Sequence, residues 1–105
     1  MLEKLKGIEE HYEKLGNELL EVGSNYQRAA EINKERVDLE AIVEKAREYR
    51  QARKSLEEAR AILESEKDPD MLALADADIV ELTPKIETLE KEIKNLLIPK
   101  DPRDE

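Results

Sequence analysis

From Leu72 to Leu96 an apolar residue falls at every third or fourth position: Leu72, Ala75, Ile79, Leu82, Ile86, Leu89, Ile93 and Leu96. Alternating steps of three and four place all of them on one stripe of an α-helix, whose turn brings i, i+3 and i+4 to one face. On a strand the same residues would scatter to both faces, because side chains there alternate with period two. The segment is therefore an amphipathic helix that must bury its stripe against other helices. With only 3 glycines and 4 prolines in 105 residues, interruptions are few, and each one locates a boundary.

Upstream, Leu2, Leu5, Ile8, Tyr12, Leu15, Leu19 and Val22 form a second stripe with the same spacing, and Gly23 stands where a helix C′ residue belongs. Ser24 with Gln27 makes a capping-box pattern that predicts a new helix at once. Its stripe is weaker (Tyr26, Ala29 or Ala30, Ile32 or Asn33, Val37), so a break or bend near Asp38 is expected, with Asp38 as the next N-cap. Ile42, Ala46, Tyr49, Ala52, Leu56, Ala59 and Leu63 then mark a long helix. Asp68 as N-cap and Pro69 at N1 open the last one. Pro84 interrupts that helix's hydrogen bonds but not its stripe, and a kink is favoured over a restart at Thr83. Glu87–Lys91 and Glu90–Lys94 are spaced as exposed pairs. The predicted helices are about 2–22, 25–37, 39–66 and 69–98. The fold class is all-α: an elongated antiparallel helical bundle or coiled-coil hairpin of three long helices and one short one.

A net charge of −9 argues against nucleic acid or an anionic membrane as the ligand of the whole chain. Absence of cysteine removes disulfides, thiolate metal sites and thiol nucleophiles. No apolar run approaches the roughly 20 residues that span a bilayer, and "MLEKLKGIEE" lacks the apolar core of a signal peptide. These features predict a cytoplasmic helical domain without a membrane association.

Catalysis needs a cleft and convergent polar groups. His11, the single histidine, has Glu9, Glu10 and Glu13 nearby, but a di-metal helical bundle needs Glu-x-x-His on two separate helices, so a solvated face is the expected reading. No Gly-rich phosphate loop occurs. The chain is expected to bind no cofactor, metal or small-molecule substrate and not to be an enzyme. Two surfaces remain. Arg47, Arg50 and Lys54 recur at helical spacing, with Arg53 and Arg60 close by. They are candidate contacts for an acidic partner or RNA phosphates, against the simpler reading of a solvated face balanced by Glu44, Glu48, Glu57 and Glu58. Met71 and Leu74 lie off the main stripe of the last helix, where they could seat a partner or complete the bundle end.

The ending, Leu96, Leu97, Ile98, Pro99, Lys100, Asp101, Pro102, Asp104 and Glu105, resembles the junction after the N-terminal helical domain of bacterial class I peptide chain release factors. It resembles in particular the type that reads UAA and UAG. The order of helices, including the "KDPDMLALADADI" turn, is similar to that domain over the whole chain. The resemblance implies a helical domain over 1–98 and an interdomain linker over 99–105 (Pro99, Lys100, Asp101, Pro102) that stops before a central domain. It also implies a parent protein that reads stop codons through Pro-x-Thr and hydrolyses peptidyl-tRNA through Gly-Gly-Gln. Neither motif occurs in this sequence. Implied partners are the ribosome, at the stalk base and GTPase-associated centre, and the class II release-factor GTPase. Such an arm is expected to be a monomer or weak dimer. A free-standing helical-bundle adaptor or coiled-coil scaffold is the competing expectation.

Overall fold

A computed structural model describes residues 1–98. Over these it is all-helical: α1 Leu2–Glu21, α2 Tyr26–Ser65 and α3 Pro69–Leu97. Pro99, Lys100, Asp101 and Pro102, read from sequence as a linker, lie outside the described residues. The all-α class is as expected, but there are three helices rather than four.

The two middle helices are one. No glycine or proline falls between Ser24 and Asp68, and an aspartate inside a helix costs well under about 1 kcal/mol, so Asp38 is not enough to stop α2. What looked like a fading stripe is a stripe carried by a cation. Val37 is exposed, whereas Arg36 and Leu39 are half-buried, so the inward positions run Ile32, Arg36, Leu39, Ile42. Arg36 holds its place by laying its guanidinium 4.2 Å over the Tyr12 ring. An arginine stem can cover apolar surface in this way while keeping its charge partly solvated.

The other boundaries follow local chemistry. Gly23, with φ 56, supplies the left-handed turn after α1. Asn25, not Ser24, caps α2: its Oδ1 accepts from the Arg28 backbone N–H at 3.1 Å, and its carbonyl takes the first helical bond from Ala29. Asp68 caps α3 as expected, accepting from the Asp70 N–H at 3.0 Å with Pro69 at the start of the helix. Helix α3 runs unbroken through Pro84. The Thr83 hydroxyl donates to the Ile79 carbonyl at 2.7 Å in that turn.

The described residues divide into two compact units, 1–46 and 47–98, and the boundary falls inside α2. In the first unit, Glu18 meets Arg28 at 3.2 Å and His11 meets Glu35 at 2.7 Å. Rising numbers on α1 face falling numbers on α2, so the two run antiparallel. Leu5, Leu15 and Ile32 are among its buried residues. In the second unit, Tyr49 bonds to Glu90, and Leu56 lies near Ile86 across a shared notch, which again is an antiparallel pairing. Ala52, Ala59 and Ala75 are buried there beside Tyr49, Ile86, Leu89 and Ile93. Small side chains at such positions allow close helix approach, since interaxial distance follows the side chains at the contact. Both stripes end one residue away from the sequence expectation: Leu63 and Leu96 are exposed, and Ile62 and Leu97 are half-buried instead.

Candidate interaction surface

Arg47, Arg50 and Lys54 all lie on the exposed side of α2. At about 100° per residue they fall within a sector of roughly 60°, facing away from Tyr49, Ala52 and Leu56. They therefore form one basic patch, as the spacing indicated. Arg47 and Arg50, and Glu48 beside them, already interact with other groups of the chain.

Arg53 and Arg60 turn to a different use. The buried Tyr49 hydroxyl donates to Glu90 Oε1 at 2.9 Å and accepts from Arg53 Nη1 at 3.1 Å. The Arg53 guanidinium stands 5.5 Å from the Tyr49 ring centre. That hydrogen bond, with help from the Glu57 and Glu90 carboxylates, raises the Arg53 pKa above its ordinary value, against the effect of desolvation. The network tells α3 where to sit on the second half of α2, because a buried phenol left without a partner is costly. It also corrects one reading: Glu90 is half-buried and committed to Tyr49, not an exposed partner for Lys94. The Tyr49–Arg53 spacing was visible in sequence, but Glu90 could be found only once the pairing of α2 with α3 was known.

Arg53 and Arg60, with Leu56, Glu57 and Ile86, line a notch of about 170 Å³. Small-molecule sites run to roughly 300–1,000 Å³. His11 pairs with Glu35 across the first unit, while Glu9 is buried and interacts within the chain instead of belonging to a solvated acidic face. Among the described residues, no group of three or more His, Cys, Asp or Glu side chains is arranged to hold a metal ion. No described helix is long and apolar enough to cross a membrane. Met71 and Leu74 do not complete a bundle end: they are 39% and 62% exposed.

Antiparallel helix pairs, with charged and aromatic groups arranged on the helix faces of each unit, define an all-helical domain. A family model described as the PCRF domain matches residues 8–105, and the chain belongs to that family. It is 46% identical over 108 residues to peptide chain release factor 1 of Bacillus licheniformis. It is 43% identical over 107 residues to the protein of the same name from Clostridium botulinum, and 44% over 108 residues to that from Bacillus subtilis. In each case all of the chain aligns, but it spans only 30% of the relative's length. No solved structure matches the chain.

Proposed function

We propose that this chain is the helical arm of a cytoplasmic factor for stop-codon-dependent translation termination, of the type that reads UAA and UAG. Residues 1–98 form the arm and 99–105 lead into the next domain. The observation that carries the reading is alignment of the whole chain, at 42–46% identity, to 30% of the length of proteins named peptide chain release factor 1, together with the Pro99-Lys100-Asp101-Pro102 junction. The absence of Gly-Gly-Gln and Pro-x-Thr from the sequence supports assigning codon reading and hydrolysis to other parts of the protein. The arm then contributes position, not chemistry. It meets the ribosome near the stalk base and the class II release-factor GTPase, and the basic patch of Arg47, Arg50 and Lys54 is its contact for phosphates or acidic side chains.

The test is peptide release from stop-codon-programmed ribosomes by the full-length protein and by its Arg47→Glu/Arg50→Glu/Lys54→Glu variant. Loss of a positioning contact raises the concentration needed for half-maximal release and leaves the rate at saturation unchanged. Circular dichroism checks that helicity is retained. An unaltered half-saturation point would remove the patch from the ribosome contact and leave a solvated face.

A further inference from the structure

The outward face of the first half of α3 is apolar, and no described part of the chain covers it. Val80 is 75% exposed and Leu74 62%, and Ala73, Ala77 and Pro84 are exposed as well. Ala73, Ala77, Val80 and Pro84 follow i, i+4, i+7 and i+11, which is one stripe of a helix. It lies on the far side from the buried Ala75 and Ile86. Leu74 stands beside it. The two alanines leave a shallow seat between the larger Leu74 and Val80, the relief into which a ridge of another helix can pack. An α3 that served only its own core would need one apolar stripe, and this one has two.

The rim of the second stripe identifies its occupant. From Pro69 to Pro84 there is no Lys or Arg. Asp76 flanks the stripe on one side, and Asp78 and Glu81 flank it on the other. None of the three forms an ion pair or other polar contact among the described residues. Nucleic acid and anionic lipid are disfavoured by that rim. A second copy of the chain would bring the same carboxylates against their own kind, and like-charge juxtaposition opposes association. We propose that this face docks a basic amphipathic helix of another protein. Its apolar side chains enter the Ala73–Ala77 seat, and its Lys or Arg residues answer Asp76, Asp78 and Glu81.

A Leu/Lys amphipathic helical peptide serves as the probe, titrated into the isotope-labelled 105-residue chain with amide NMR shifts and fluorescence anisotropy as readouts. Shifts are expected to concentrate on residues 73–84. Leu74→Ser/Val80→Ser should weaken binding by about tenfold or more, since it removes the apolar anchors and keeps every charge. Leu20→Ser/Tyr26→Ser, which alters the most exposed apolar pair elsewhere, should leave it unchanged, and a Leu/Glu peptide should not bind. Equal affinity for the Leu74→Ser/Val80→Ser variant, with shifts spread over every acidic face, would overturn the proposal as mere charge attraction. A concentration-dependent dimer in sedimentation that this variant abolishes would also overturn it, by placing a second copy on the face.

Discussion

Alanine in place of glycine inside a helix ordinarily stabilises by about 1 kcal/mol, and α1 contains two glycines with opposite surroundings. A Cβ added at Gly7 meets nothing within 4 Å, so Gly7→Ala should deliver the whole gain. At Gly16 the same Cβ arrives 3.2 Å from Arg36 Nη2 and 3.3 Å from its Cζ, tighter than ordinary van der Waals contact. Arg36 must then shift by a few tenths of an ångström from its position 4.2 Å over the Tyr12 ring. A cation–π contact at a partly exposed site is worth about 0.5–1 kcal/mol. Its weakening offsets the helix gain, so Gly16→Ala should be close to neutral. Urea unfolding followed by circular dichroism measures both. For a domain of this size, about 1 kcal/mol also appears as roughly 4–8 °C in Tm. In an Arg36→Ala background the conflict is gone, and Gly16→Ala should recover the full stabilisation of about 1 kcal/mol. If Gly16→Ala stabilises the native chain as much as Gly7→Ala does, Arg36 does not lock into the gap at Gly16 and the reasoning fails.

Three other substitutions probe the local chemistry, all read by the same unfolding experiment. Tyr49→Phe keeps the buried ring but removes the hydroxyl between Glu90 and Arg53, and should cost about 1–2 kcal/mol, at the lower end for bonds to charged groups because Arg53 is exposed. Pro84→Ala restores a missing N–H on the exposed side of α3 and should stabilise by about 1–3 kcal/mol. A loss there would mean that the proline is accommodated by more than an open backbone position. Asp68→Ala removes the α3 cap and should cost about 1 kcal/mol, whereas Asp70→Ala, which leaves the capping carboxylate in place, should cost less.

The strongly periodic parts of the fold are legible in the sequence because period and burial coincide there: Leu5 and Leu15 on α1, and Ala75, Ile86, Leu89 and Ile93 on α3, are all buried. Gly23 and Asp68-Pro69 were equally legible, since a positive φ and a helix start each restrict the residue types that fit. The continuity of α2 was hidden because Arg36 occupies an inward position that a count of apolar residues scores as a gap. The cap before α2 was misplaced by one residue because Ser24 and Asn25 are adjacent and both are competent. At the helix ends, Leu63 and Leu96 had the right spacing, but the inward side rotates away from them and falls on Ile62 and Leu97. The basic patch was visible as spacing. The interactions that Arg47 and Arg50 make within the chain were not, and neither was the exposure of Leu74 and Val80, because each depends on what the fold brings near.

The most direct measurement is peptide release from ribosome complexes programmed with UAA, UAG or UGA, comparing the full-length protein with the 105-residue chain alone. The expected result is release at UAA and UAG but not UGA by the full-length protein, and none by the chain at any codon. Release at UGA as efficient as at UAA, or hydrolysis by the chain alone, would contradict the assignment of this domain as the positioning arm of a UAA- and UAG-reading factor.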